Sequence, residues 1–248
     1  MSFDLATRLR EGTKQSHTLS ENTAFMKCFL KGIVEWEPFR KLTADLYFVY
    51  SAMEAEIHRH LDHPVVGLIY FPELERQEKL AQDLAFYYGE EWRDRIVASP
   101  EGQNYVKRLQ EISQTNPALL VAHSYVRYMG DLSGGQSLRN IVRSALNLPP
   151  DRGTGLHEFD QIATPEARRT FKAKYRDALN SLPIDEAIAQ QIVDEANLAF
   201  QLNRNVFHEL EDDVKASIGD RIFDLITRQD RPGSTESRSA TPELAVAE

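Results

Sequence analysis

Apolar residues recur at three- and four-residue steps along most of this chain. Between residues 36 and 61 they fall at Phe39, Leu42, Leu46, Val49/Tyr50, Met53 and Ile57. Between 184 and 226 the same step runs through Ile188, Ile192, Ala196, Phe200, Asn203, Phe207, Leu210, Val214 and Ile218. This is the period of an amphipathic helix, and no comparable stretch alternates apolar and polar as a strand does. Residues 3–20 read the same way, with Leu5, Leu9 and Thr13 leading at four-residue steps to His17. Ser99-Pro100 and Thr164-Pro165 each set a capping hydroxyl before a proline in the first turn. Breaks are expected near Pro64, Pro72, Gly89, Asn116-Pro117, Pro149-Pro150 and Pro183. The pattern predicts about seven or eight helices in an all-α single domain. That domain is expected to cover residues 1–227. From Arg228 the chain turns polar and rich in Ser, Thr and Pro, which predicts a disordered tail over 228–248.

Composition narrows the function classes. With 42% hydrophobic residues the 248-residue chain can fill a large core. A net charge of −9 argues against a general nucleic-acid binder, which needs a basic face. Cys28 is the only cysteine, so an internal disulfide and a cysteine-based zinc site are excluded and a reducing compartment fits. The N-terminal residues have no apolar core of the signal-peptide kind. No run reaches the roughly 18 apolar residues a membrane helix requires. A cytoplasmic protein with neither membrane nor nucleic acid as partner is therefore expected. Dinucleotide and phosphate-binding glycine loops are absent. The run Gly130-Asp-Leu-Ser133-Gly134 superficially resembles a nucleophile elbow, but its serine stands one place late and no strand precedes it. No glutamate is followed by a histidine at the third position, as a helical di-iron site would need. An all-helical enzyme without these signatures is expected to bring its chemistry in with a cofactor.

Three constellations carry candidate chemistry. His17 has Glu21 one helical turn on, the arrangement that orients a metal-ligating imidazole; a surface or core histidine capped by a nearby acid gives the same spacing. The other histidines are weaker. His58, His60 and His63 splay round a helix end, His123 lies in apolar LLVAHSYVRY as a core histidine, and His157 and His208 lack supporting neighbours. Residues 117–147 read as helix at both ends, yet hold Gly130, Gly134 and Gly135, each of which weakens a helix by about 1 kcal/mol against alanine. The segment is either broken or kinked there, or has something against its backbone: a flat ligand, or another helix. Asp131 in this apolar surrounding needs partners, for which Tyr125, Arg127 and Tyr128 stand nearby. Finally, Arg168, Lys172 and Arg176 lie four residues apart, with Arg169 and Lys174 alongside. In so acidic a chain this is an anion site, a docking strip for an acidic partner, or a solvated face.

The segments REGTKQSHTLSEN, LYFVYSAMEAEI, IYFPEL, LAFYYG, LLVAHSYVRYMGDLSGGQ, FKAKYRDALNSL and EANLAFQLN, in this order over residues 3–226, closely resemble the haem oxygenase family. The resemblance implies haem b, as substrate and cofactor, sandwiched between a proximal and a kinked distal helix, and its oxygen-dependent opening to biliverdin, CO and Fe²⁺, with the alpha position cut. It implies His17 as proximal iron ligand and Glu21, Tyr125 and Ser133 among the haem-contacting residues. Gly130 and Gly134 would lie against the other face. Asp131, with Tyr50, Tyr105, Arg127 and Asn203, would organise distal waters, and Phe200 would flank the macrocycle. Arg10, Lys172 and Arg176 would meet the propionates, Arg10 standing where many relatives carry lysine. The polar C-terminus is similar to that of the soluble bacterial and plastid members, which take electrons from ferredoxin and supply bilin synthesis, with a bilin reductase as a possible downstream partner. Two competing readings are a carrier that keeps haem intact, needing His17 and the basic stripe alone, and a thiaminase-like helical enzyme with a cysteine nucleophile. For the second, Cys28 in FMKCFLKG reads as core.

Overall fold

The computed structural model describes residues 4–237. Fourteen α-helical segments and no strand occur among them. In chain order they are α1 (Leu5–Gly12), α2 (Lys14–Glu21), α3 (Ala24–Leu30), α4 (Trp36–Arg59), α5 (Gln77–Tyr88), α6 (Trp92–Arg95), α7 (Pro100–Thr115), α8 (Leu120–Ser124), α9 (Gly130–Ala145), α10 (Pro165–Asn180), α11 (Glu186–Glu209), α12 (Glu211–Ile218), α13 (Asp220–Thr227) and α14 (Ser234–Ser237). The all-α expectation holds, and the predicted breaks all fall between segments. The segments outnumber the expected helices because several long stretches are jointed. The stretch 184–226 divides at Leu210 and again at Gly219, whose φ of +83° ends α12.

The core forms where the apolar stripes predict it. Val49, Tyr50, Met53 and Ile57 of α4 are buried, as are Ile192, Ala196 and Val206 of α11. α4 packs on α5 and α7, while α11 packs on α7, α8, α1 and α2. The caps form as expected: the hydroxyl of Ser99 accepts from Gly102 N and that of Thr164 from Ala167 N.

The helix expected over 3–20 is jointed at Thr13. The Thr13 hydroxyl donates to Leu9 O at 2.6 Å, a back-bond that bends helices. Close approach reinforces the joint, since a Cβ on Gly12 would stand 2.7 Å from Val193 Cγ1 on α11. Beyond the boundary drawn at residue 227 the chain is exposed over 228–232 yet keeps polar contacts with the helices. Thr227 O and Asp230 both accept from Lys27 Nζ, at 2.8 and 2.6 Å, and the chain continues to α14 against α2. Residues 238–248 of the expected tail lie outside the described residues.

α7, α8 and α11 are locked together by one buried polar cluster. His123 is fully buried, its Nε2 lying 2.9 Å from Glu195 Oε1 and its Nδ1 3.3 Å from the Tyr105 hydroxyl. Burial holds the imidazole pKa below its ordinary value, so the neutral ring donates through Nε2 and accepts through Nδ1. Arg108 forks onto Glu195 at 3.0 and 2.6 Å. Burial alone would raise the Glu195 pKa, but the hydrogen bonds from His123 and Arg108 outweigh it and bring it to about 2.

Removing Glu195 leaves the fully buried His123 Nε2–H without an acceptor, a loss of about 1–3 kcal/mol, while Arg108 keeps partial access to water. Glu195→Ala is expected to lose that much unfolding free energy in urea at neutral pH. A carboxylate whose pKa falls on folding contributes fully above its unfolded value of 4.5 and loses the contribution as pH drops towards about 2. The stability gap between wild type and Glu195→Gln should therefore close across that window.

Candidate functional site

The site forms where α2, α11 and the α8–α9 helix meet. On the imidazole side, α2 presents His17. Its Nδ1 is buried and has no hydrogen-bond partner, yet a third of the side chain is exposed (34%). The accessible edge of the ring is thus the one away from Nδ1. The Phe200 ring of α11 meets it edge-on, centroids 5.8 Å apart. The expected partner Glu21 approaches Nδ1 to 3.8 Å, a charge contact beyond hydrogen-bond reach. Its two oxygens accept instead from the backbone N and hydroxyl of Ser234, at 2.7 and 2.6 Å. The Ser16 flank of α2 is tied to α11: Ser16 Oγ donates to Asn197 Oδ1 at 2.6 Å, and Asn197 Nδ2 donates to Gly12 O at 3.1 Å.

The opposite side is a single helical run with one widened turn. α8 passes into a π-helical turn, Tyr125–Met129, and then directly into α9. The distortion therefore precedes the glycines, and Gly130 to Gly135 are helical. The extra residue in the π turn rotates α9 relative to α8. Gly130 and Ser133 come out exposed, Gly134 half-exposed, and Asp131 and Gly135 buried. A Cβ on Gly130 or Gly134 would meet nothing within 4 Å, so these two border open space and not another helix. Gly135 differs, since its Cβ would stand 3.1 Å from His157 Nδ1.

Beneath the two open glycines lies a polar cluster. The Tyr50 hydroxyl donates to Asp131 Oδ2. Arg127 Nε donates to the Tyr50 oxygen at 3.1 Å and Arg127 Nη1 to Asn203 Oδ1 at 2.6 Å. Burial raises the Asp131 pKa, and the Arg127 charge, the Tyr50 hydrogen bond and the Arg76 charge moderate the rise. Tyr105, assigned to this cluster by resemblance, bonds His123 and feels Arg127 only through its charge. Of the partners foreseen for Asp131, Arg127 acts by charge. Tyr128 bonds Glu54 at 3.1 Å, and Tyr125 turns to the rim. Asn203 stands one turn beyond Phe200 on α11, so one helix reaches both sides of the site.

The rim gathers Tyr125, Arg10 and Arg176. Burial raises the Tyr125 phenol, while the charges of Arg10 and Arg176 and the Thr13 hydroxyl pull it back. Lys172, half-buried, lies one turn before Arg176 on α10. Arg168, Lys172 and Arg176 do share one face of α10, but not every cation of the stripe is turned to the rim. Arg168 donates to Ala163 O at 2.5 Å, and Lys174 sits 4.7 Å from the centre of the Phe71 ring.

Periodicity missed two buried groups on loops. Arg76 stacks on Phe159 at 3.9 Å, donates to three backbone carbonyls, and projects its charge onto Asp131. His157 is buried under Gly135, and burial, with the charges of Arg127, Arg139 and Arg76, drives its pKa to about 3, so it stays neutral. Glu54 left a signal, a carboxylate one turn from Tyr50 on the apolar stripe of α4. It accepts from Arg76 N at 2.6 Å and Gln77 N at 3.1 Å. His208, expected to lack a neighbour, pairs with Glu211 at 2.9 Å. Cys28 is buried, and burial raises its thiol pKa, the reverse of an activated nucleophile. No histidine, cysteine and carboxylate group able to hold a metal ion occurs among the described residues.

Comparison with known proteins agrees with this geometry. The family model described as Heme oxygenase matches residues 3–209. The chain is 61% identical to Heme oxygenase 2 of Synechocystis sp. over 236 residues, covering 95% of this chain and 94% of that protein. It is 53% identical to Heme oxygenase 1 of the same organism, covering 98% and 100%. The crystal structure of Synechocystis heme oxygenase-2 in complex with heme and NO superposes with a TM-score of 0.93, covering 94% of this chain and 96% of that one at 61% identity. That of Synechocystis heme oxygenase-1 in complex with heme gives 0.85 at 52% identity, covering 91% and 100%. With this full-length likeness in sequence and fold, the chain belongs to the haem oxygenase family.

Proposed function

We propose that the chain binds haem b as both cofactor and substrate and opens it, with O₂ and electrons, to biliverdin, CO and Fe²⁺, cutting at the alpha position. Two features together support this reading: a part-exposed imidazole on α2, and on the α8–α9 run bare glycine backbone bordering open space beside a buried carboxylate. Bound haem supplies the iron that activates O₂ and the ring that is oxidised. The residues fit such a group. An imidazole with a buried Nδ1 and an accessible far edge suits an axial ligand through Nε2. Open space over Gly130 and Gly134 suits a flat ring.

In this reading His17 holds the iron, Glu21 sets the charge behind the imidazole, and Phe200 fixes the ring plane. Arg10, Lys172 and Arg176 bind the propionates, while Tyr125 and Ser133 border the macrocycle. This fixes haem rotation and so the meso carbon that is cut. Gly130 and Gly134 let backbone approach the oxygen-binding side where any side chain would block it. Asp131 accepts from Tyr50 through Oδ2, leaving Oδ1 to hold and pass a proton. Arg127 and Asn203 keep the Tyr50 hydroxyl aimed at it. Tyr105 acts one layer further out, through His123. A carrier that kept haem intact would have no use for this cluster.

Electrons are proposed to come from ferredoxin, and the product to pass to a bilin reductase in pigment synthesis. High identity to cyanobacterial haem oxygenases supports both. A basic rim on a chain of net charge −9 gives an acidic donor a place to approach. A cytoplasmic location is proposed. No helix among the described residues is long and apolar enough to cross a membrane.

Turnover with haem and reduced ferredoxin, with the product resolved by chromatography, tests the activity. Unbleached haem would refute it. Asp131→Ala is expected to bind haem with an unchanged Kd but to make biliverdin roughly 100-fold more slowly or worse, the usual scale for a lost proton donor. Biliverdin at the wild-type rate would remove Asp131 from the mechanism. His17→Ala should lose the histidine-ligated ferric spectrum and nearly all turnover, and recover both when imidazole is added.

A further inference from the structure

We propose that the C-terminal segment 228–237 is a strap that positions Glu21 behind His17, with Ser234 as the positioning residue. The inference rests on the reading of His17 as the iron ligand. It deepens that reading by adding a control element far away in sequence.

The strap is fastened to the C-terminal end of α2 by reciprocal polar contacts. Asn22 Nδ2 donates to Arg231 O, and Arg231 N donates back to Asn22 Oδ1, both at 2.9 Å. This pairs a side-chain amide with a backbone unit much as two strands would pair. Three residues on, Ser234 gives its N–H to Glu21 Oε2 and its hydroxyl to Glu21 Oε1. Glu21 thereby caps α14 while belonging to α2. Gly233 between them is buried against Thr18, and any Cβ there would collide with the Thr18 side chain. Lys27, nearly buried, holds the start of the strap through Thr227 O and Asp230.

The helical geometry of α2 makes the strap specific. Ser16, tied to α11, and Thr18 and Asn22, tied to the strap, lie on opposite flanks of the helix, with His17 between them. α2 is clamped from both sides while the imidazole edge stays open. Of the two flanks, only the strap engages the residue that faces Nδ1. With both Glu21 oxygens committed to Ser234 donors, Oε2 stops 3.8 Å from Nδ1. A carboxylate that accepts from the ligand's second nitrogen raises its basicity. By holding that carboxylate back, Ser234 sets how much basicity the iron ligand receives.

The test uses full-length protein with haem bound, read by the iron–histidine stretching frequency of the ferrous form in resonance Raman. Wild type must first show that band, and its absence would refute His17 ligation itself. In Ser234→Ala, Glu21 Oε2 keeps the backbone N–H but Oε1 loses its hydroxyl donor, so the carboxylate can pivot towards Nδ1 and the band is expected to move up. Ser234→Thr keeps the hydroxyl and should restore the wild-type frequency. In a Glu21→Gln background Ser234→Ala should have no further effect, because the charge it releases is gone. Gly233→Val, which pushes the strap off Thr18, should shift the band as Ser234→Ala does. In the haem-free protein both variants should speed amide hydrogen exchange at the C-terminal turn of α2. A wild-type band that none of these substitutions moves, even if Tm falls, would overturn the proposal and leave the strap a structural brace.

Discussion

A carboxylate placed in a dry site needs its donors in place before anything else can be built around it. Asp131 imposes this constraint. Its donor Tyr50 comes from α4, the arginine that fixes Tyr50 comes from the π turn, and the amide that fixes the arginine comes from α11. One buried hydrogen-bond chain thus sets the register of three parts of the fold. Because α11 carries Phe200 one turn before Asn203, the same chain also fixes where the His17 ring finds its neighbour. The two sides of the opening are therefore built as one object.

Regular helices alone would not deliver these positions. The widened turn at Tyr125–Met129 rotates α9 so that Gly130 and Gly134 meet open space while Asp131 points inward. The joint at Thr13 works on α2 in the same spirit. Its hydroxyl returns to Leu9 O, which lets α1 lie close on α11 while α2 departs at its own angle. Both irregularities adjoin the site, as expected where local structure yields to function.

The apolar stripes and caps were legible in the sequence because they depend on neighbours three or four residues away. Phe39 to Ile57 is readable from α4 alone, and so are the hydroxyls of Ser99 and Thr164. His17, Asp131 and the glycines stood out as residue types at odds with their surroundings, and the family resemblance supplied Tyr50, Arg127 and Asn203. What stayed hidden depends on distant partners. A threonine at position 13 fits a continuous helix until Val193, crowding the glycine beside it, is known. One surplus residue in a turn leaves no compositional trace, so the kink was expected at the glycines themselves. Arg76 and His157 are buried by loops, where no period marks a residue as internal. The stripe from Arg168 to Arg176 has the right spacing, yet Arg168 answers to Ala163 and Lys174 to Phe71. Residues 228–237 are held by Asn22, Glu21 and Lys27, and hydropathy does not register polar fastening of this kind.

Two buried carboxylates show how the same materials serve opposite ends. Glu195 and Asp131 are almost equally inaccessible, 5% and 7% exposed, and each has an arginine close by. Glu195 takes direct hydrogen bonds from a guanidinium fork and an imidazole, and its pKa falls to about 2. Asp131 takes its bond from a phenol, with Arg127 acting at one remove, and its pKa rises. By linkage the first carboxylate stabilises the fold when ionised. The second binds its proton more tightly folded than unfolded, so ionising it above its ordinary value of 3.8 costs stability. A purely structural carboxylate would be better served by moving Arg127 one bond closer. In the proposed reading, placing Tyr50 between charge and countercharge leaves Asp131 the readiness to hold a proton that a proton-delivering group needs and a structural one does not.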